Sequence, residues 1–349
     1  MLLISNEVFH YRVSLYNYLN EQLRSIDYEL VVLTDKVQTL NPHRVQFKLL
    51  EEPFDFLKYR NVIDEIQPDV VILFLHLRDF IVWPLMVWMK HRKIKIIYWG
   101  HGLNLSKPDS KLRRLLFGIF HRLADAIILY SRNEIQFIAD KYRDKIHIAN
   151  NTLNFRDFPA VHKSIEQIKA EYNIRFQRVV LFVGRVTKEK RLDDLLDGAC
   201  FLQDDICVVI VGGGLSAGQE KRFKEASNVY YLGEIYDINR ISEIFKMADV
   251  FSIPGKMGLG VNQAMFWGLP VVTEDVKHSP EISYVVNEVN GFIVQKHNSR
   301  QLAEKINYLL ANSEVYREFS KSARSSITQN ANIDVMCRGF IEAIQSVEA

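Results

Sequence analysis

Short β-branched runs separated by amphipathic stretches recur along this chain, stop, and then begin again, and this doubled rhythm restricts the fold more than any other feature. The first series is LLIS near residue 3, ELVVLT at 29–34, DVVILF at 69–74, KIIYW at 95–99 and AIILY at 126–130. Such alternation describes an open parallel sheet with helices on its faces. The second series is RVVLFVG at 178–184, ICVVIVG at 206–212, VYYLG at 229–233, DVFSIP at 249–254 and LPVVT at 269–273. Between them, 150–177 is polar and of mixed charge and holds no convincing apolar strand, so the hinge is placed there. The 349 residues suit two domains of roughly 150 residues each. The segments after Gly291 read as mainly helical, and 333–347 carries apolar residues at helical spacing. The expected divisions are 1–152, 153–330 and a final helix, 331–349, packing back on the first domain.

Composition narrows the partners. Apolar residues at 48% and charged residues at 25% are those of a globular protein with large buried sheets. A net charge of only +2 gives no cationic field for wrapping nucleic acid. Cys200, Cys207 and Cys337 are odd in number and lack metal-ligand spacing, which predicts reduced core thiols in the cytoplasm. The opening MLLISNEVFHYR reads as a first strand rather than a secretion signal. The most apolar stretch, 70–89, is interrupted by His76, Arg78, Asp79 and Pro84, so a membrane span is not expected.

Open α/β sheets bind ligands beyond the carboxyl ends of their strands, so those loops carry the functional candidates. The first strand of the second series ends in Gly184 and Arg185, and Lys190 follows just before a helical run. Two fixed cations there suit a departing diphosphate, which gains negative charge as its bond breaks; a solvated charged turn is the plainer alternative. In PGKMGLGVNQAM, glycines at 255, 258 and 260 lead into a helix, and bare amides in such a loop form an anion-binding and hydroxyl-binding nest. Glu281 follows Ser279 and Pro280 as the acid of a helix start or as a site residue. In the first half, His101 stands at a strand end between two glycines, free to hydrogen-bond a reacting group. Arg12, beside Tyr11, is either an anion contact or a surface charge. The segment 111–123, with Leu112, Leu115, Leu116, Ile119, Phe120 and Leu123 at helical spacing and Lys111, Arg113, Arg114 and Arg122 largely elsewhere, reads either as a core-facing helix or as a basic amphipathic helix lying on anionic lipid.

The ordered motifs GRV-x-x-x-KR, VVIVGGG, VYYLG, ADVFSIPG-x-x-G-x-x-x-x-QAM-x-x-GLPVV and PE-x-x-x-x-x-x-x-x-x-GFIV resemble the retaining glycosyltransferases of family 4, of bacterial surface-polysaccharide type. The resemblance spans nearly the whole second half. It implies the GT-B fold: an α/β architecture of two facing Rossmann-like domains with a cleft between them. It also implies that Arg185 and Lys190 hold the donor pyrophosphate, with His101 completing the catalytic set. Gly184, Gly255, Lys256, Met257, Gly258, Gln263 and Glu281 form the donor-binding set, and Arg12 is an acceptor-side or phosphate contact. Met257 and Gly258 match the loop whose amides approach the donor sugar, and Gln263 matches the acid that holds the ribose. The family's paired glutamates are absent: Gly255 stands in place of the first and Gln263 of the second. Glutamine still hydrogen-bonds ribose hydroxyls.

The expected activity is transfer of a sugar, with retention, from a nucleoside-diphosphate sugar to a hydroxyl of a glycan or lipid-linked glycan. No cofactor is expected beyond that donor. No metal is expected either, because no carboxylate cluster ends a strand and the two cations neutralise the leaving group. The protein is placed in the cytoplasm, peripheral to the membrane face, with 111–123 as the contact and no nucleic acid as partner. Three rivals remain: an epimerase or hydrolase on the same fold, an inactive glycan-binding relative, and an oxidoreductase suggested by Gly212, Gly214 and Ala217, whose following segment has little apolar face.

Overall fold

The computed structural model describes residues 1–37, 44–74, 81–103 and 111–348, with the side chain of Arg113 excepted. His76, Arg78 and Asp79, which interrupt the apolar stretch at 70–89, lie outside the described residues. The chain forms two compact units, Met1–Asn154 with Asn332–Ala349, and Phe155–Ala331.

The first unit runs β1 (Leu2–Ser5), α1 (His10–Arg24), β2 (Val31–Thr34), β3 (Lys48–Glu51), α2 (Phe56–Ile66), β4 (Val70–Phe74), α3 (Val82–His91), β5 (Lys95–Gly100), α4 (Lys111–Leu123), β6 (Ala126–Leu129) and β7 (Ile146–Ile148). Its strands pair in parallel in the order β3-β2-β1-β4-β5-β6-β7. The central strands are continuous apolar runs because both faces are covered. Local signals set the helices: Asp55 caps α2 by accepting from the Lys58 amide at 3.0 Å. Pro84 lies in the first turn of α3, where its missing N–H costs nothing. The sequence pattern missed β3 and β7, the two edge strands. Both are short, and β3 (KLLE) lacks β-branched residues, since an edge strand has only one neighbour and little burial to encode.

The second unit runs α5 (Ile165–Glu171), β8 (Arg178–Val183), α6 (Leu192–Ala199), β9 (Ile206–Val211), α7 (Ala217–Glu225), β10 (Val229–Tyr231), α8 (Ile238–Met247), β11 (Val250–Ser252), α9 (Gly260–Phe266), β12 (Val271–Glu274), β13 (Gly291–Val294), α10 (Ser299–Ala311) and α11 (Ser313–Asn330). The sheet order is β10-β9-β8-β11-β12-β13, again parallel. β13 opens a stretch read as mainly helical; at four residues, GFIV is too short for periodicity to distinguish. Cys207 and Cys337 are buried thiols, but Cys200 is exposed just after α6, which corrects its assignment to the core.

The last helix, α12 (Ile333–Glu348), belongs to the first unit. Its Met336, Cys337, Phe340, Ala343, Ile344 and Val347 join the core on one face of the first sheet. Phe340 meets Trp99 of β5 edge-on, with ring centroids 4.8 Å apart.

Candidate functional site

The loop after β8 owes its course to backbone pairing. Gly184 donates to the Val211 carbonyl at 2.9 Å and Val186 to that of Gly213 at 2.7 Å, so the loop runs zipped to the end of β9. A β-carbon at Gly212 would lie 2.1 Å from the Gly184 carbonyl oxygen, which is why that position is glycine. This zipper also accounts for the glycines behind the oxidoreductase reading: they bring two backbones together. The following α7 is capped by Ser216 and buries only Gln219. Held between these paired positions, Arg185 is exposed, and no ion pair or hydrogen bond engages it among the described residues.

Lys190 ends a 3-10 turn, Lys188–Lys190, and is followed by Arg191 in the left-handed region at φ 55°. Arg191 is held there by its ion pair with fully buried Glu274, Nη2 to Oε2 at 2.8 Å, and by Asp194 at 2.9 Å. The turn then pairs with the glycine loop. Gly255 donates to the Lys190 carbonyl at 3.0 Å and Lys256 to that of Glu189 at 2.8 Å. A β-carbon at Gly255 would stand 2.0 Å from the Glu189 carbonyl oxygen, so position 255 is a backbone contact with no room for a side chain.

The Lys190 side chain threads between glycines. Its Cε lies 3.9 Å from the β-carbon position of Gly184, and its Nζ lies 3.9 Å from that of Gly258. Burial pushes this ammonium down to about 8; Glu281 opposes the drop and the repulsion of Lys256 adds to it. Lys256 in turn pairs with Glu189 at 3.4 Å. Glu281 sits in the 3-10 turn Pro280–Tyr284, where it is buried.

Two residues that the sequence did not flag brace the glycine loop. His278 accepts the Met257 amide on Nδ1 at 3.4 Å, which leaves the proton on Nε2 for the Glu274 carbonyl at 2.8 Å. The Ser279 hydroxyl donates to the Met257 carbonyl. Burial holds His278 below the ordinary histidine range, and the charge of Lys190 pushes the same way. The His278 contact ties the Met257 amide to the segment that follows β12. The Met257 side chain itself is buried. Gln263 lies on α9, 8% exposed, and its Nε2 has no hydrogen-bond partner among the described residues. A buried amide donor left open costs stability unless a ligand fills it.

In the first unit, His101 follows β5, and its Nδ1 stands 2.6 Å from Oε1 of Glu134. Glu134 is 2% exposed, and its other oxygen accepts the Ser131 amide at 3.0 Å in a capping box of the 3-10 turn Arg132–Phe137. A fixed carboxylate thus orients a half-buried imidazole, as carboxylates do for working histidines. The S-x-x-E pattern carried this signal, but nothing in sequence showed that it would face His101. Arg12 is no surface charge: it is 4% exposed on α1, with Nη2 3.2 Å from Asn151 Oδ1 and 3.4 Å from the Tyr130 hydroxyl, and its guanidinium 4.9 Å from the Trp99 ring centroid. The Tyr130 ring also lies 4.6 Å from that of His101, tilted by 44°, so Arg12 and His101 share one aromatic neighbour.

α4 buries one edge of its broad apolar stripe and leaves the other edge exposed. Phe117 and Phe120 are buried, whereas Leu112 (67%), Leu115 (63%) and Ile119 are exposed beside Lys111, Arg114 and Arg122. Among the described residues no helix is long and apolar enough to cross a membrane.

Comparison with known proteins places this geometry. A family model described as Glycosyltransferase Family 4 matches residues 11–155, and one described as Glycosyl transferases group 1 matches residues 164–326. The alpha-maltose-1-phosphate synthase of Mycolicibacterium smegmatis is 24% identical over 65% of this chain and 64% of its own length. The O-antigen biosynthesis glycosyltransferase WbnH of Escherichia coli is 27% identical over 64% of this chain and 63% of its own length. The chain therefore spans just under two thirds of either relative. Among solved structures, HepE of Anabaena, in complex with UDP, superposes with a TM-score of 0.80 at 15% identity over 99% of each chain. That likeness fixes the fold as two parallel Rossmann-like sheets of the GT-B type.

Proposed function

Because the chain belongs to the family 4 glycosyltransferases, we propose that it moves a sugar with retention from a nucleoside diphosphate to a hydroxyl of a glycan or lipid-linked glycan. The observation that carries this reading is Lys190, a half-buried ammonium whose side chain passes between Gly184 and Gly258. Exposed Arg185 is the second cation on the same loop. In the proposed reaction the bond from the sugar C1 to the β-phosphate oxygen breaks, and the new bond to the acceptor oxygen forms on the same face. The acceptor proton passes to the departing phosphate, whose growing charge Lys190 and Arg185 neutralise. Gln263 Nε2 takes a ribose hydroxyl and Gly258 borders the sugar, while in the first unit His101, oriented by Glu134, is the candidate to hydrogen-bond a reacting group. UDP bound to HepE makes a uridine donor the first to try.

Membrane contact belongs to the same proposal. An exposed stripe of Leu112, Leu115 and Ile119 flanked by cations suits the surface of an anionic bilayer, which is where a lipid-linked acceptor would be met.

The test is a panel of nucleotide sugars with and without glycan acceptors. Free nucleoside diphosphate appearing only with acceptor supports transfer. An isomerised donor, or hydrolysis without acceptor, would instead establish the epimerase or hydrolase, and binding without turnover the inactive relative. In the transferring pair, Arg185→Ala and Lys190→Ala should each lower kcat by roughly 100- to 1000-fold, as expected for loss of a preorganised charge on the leaving group. Parental rates in both folded variants would sink the assignment.

A further inference from the structure

The 3-10 turn that carries Glu134 toward His101 also carries residues on its other side, and these open onto a separate groove. This groove, about 560 Å³, lies within the first unit, between that turn, β7, the 3-10 turn Asp140–Lys145 and α12. It is of small-ligand size. Arg132, Arg143 and Arg338 line it with His147 and Glu342. Arg143 is paired with Asp140 at 2.9 Å, but Arg132 and Arg338 have no ion pair among the described residues. Arg338 is unpaired even though Glu342 lies one helical turn away. Ile135, Ile146 and Ile148 add apolar lining, and β7 is the last strand of the sheet, with all three of its residues on the groove.

We propose that this groove is a subsite for an anionic segment of the glycan acceptor, one whose sugars carry carboxylate or phosphate groups. Two unpaired guanidiniums facing one cavity call for an anion with more than one charged group. Aliphatic lining suits the C–H faces of sugar rings. The groove has no Phe, Tyr or Trp on which a nucleic-acid base would stack, and the net charge of +2 argues the same way. Burial keeps His147 below the ordinary histidine range, although Glu342 opposes this, so a neutral imidazole is present to exchange hydrogen bonds with sugar hydroxyls. The placement fits an extended acceptor: the turn Arg132–Phe137 offers Glu134 to His101 and Arg132 to the groove, so a chain reacting near His101 would continue past this turn.

The choice of a glycan rests on the transferase reading, and the experiment separates the two. Full-length protein without donor is titrated with tetragalacturonate, mannose 6-phosphate and, as the neutral control of equal length, maltotetraose. Tetragalacturonate binding at least about tenfold tighter than maltotetraose, and lost in Arg132→Gln/Arg338→Gln, is the expected result for a carboxylated segment. Mannose 6-phosphate binding alone, lost in the same variant, assigns the phosphorylated source. Glu342→Gln, which removes the one acid of the lining, should tighten either ligand. Charged and neutral sugars binding equally, or binding unmoved by the double variant at a parental unfolding temperature, overturns the proposal. Nucleotide binding to the same protein, and its loss in Lys190→Ala, reads the donor site separately, so failure of one reading leaves the other standing.

Discussion

At position 255 a single missing side chain decides the course of two loops. Alanine there would drive a β-carbon against the Glu189 carbonyl and Lys190 carbonyl carbon, which lie 2.0 and 2.6 Å away, and would break the pairing that fixes Lys190. Gly255→Ala should cost about 1–3 kcal/mol of stability, the usual penalty of overpacking, and should lower kcat/KM for the donor at least about tenfold. Gly255→Glu, which restores the family's acid, should fare worse rather than better; parental unfolding temperature and kinetics in either variant would refute the packing account. The glycine that stands in place of the family's first glutamate is thus part of how the loop is held. Lys190 gives the second prediction at this scale. It is charged below about 8 and neutral above, so kcat/KM should fall as pH rises through that value. Lys190→Arg, which stays charged, should move this limb upward. The stability sign is opposite: the folded state binds this proton less tightly than the unfolded chain, ordinarily near 10.5, so the penalty holds below about 8 and fades as pH rises to 10.5.

Among the elements, α4 asks most of its surroundings. A helix with Phe117 and Phe120 inside and Leu112, Leu115 and Ile119 outside has more apolar surface than its own sheet can cover. Each cation near an anionic surface contributes about 1 kcal/mol, and the leucines add their burial in the acyl boundary. Flotation with anionic vesicles should recover the protein, and Leu112→Glu/Leu115→Glu should reduce recovery to that seen with neutral lipid. Equal recovery of the parental chain with neutral and anionic vesicles would remove the electrostatic argument. The 3-10 turns act at the same scale: they place Lys190, Glu281 and Glu134 at strand ends with only three to six residues each.

For the whole molecule, α12 carries the chain back to the unit in which it began. Phe340, fully buried against Trp99, anchors that return. Phe340→Ala should cost about 3–5 kcal/mol, the range for emptying a core aromatic. The loss should fall on the first unit, since none of the α12 core belongs to the second. Calorimetry should therefore show one transition lowered and the other unchanged; a single transition, lowered as a whole, would mean that the units melt as one.

The doubled strand rhythm determined both parallel sheets, because buried central strands must be continuous apolar runs. The loops to inspect followed from that, since ligands gather at strand ends, and so Arg185, Lys190 and the glycine loop were legible in order. Edge strands β3 and β7 were not, because half-exposed residues carry no pattern. Only the tertiary structure decided that Gly255 is a backbone contact, that His278 meets the Met257 amide, that Arg12 is buried among aromatic rings, and that Glu134 turns inward to His101. Each of these depends on groups far apart in the chain arriving within a few ångströms of one another. Periodicity records which face of an element is buried, but not what it meets there.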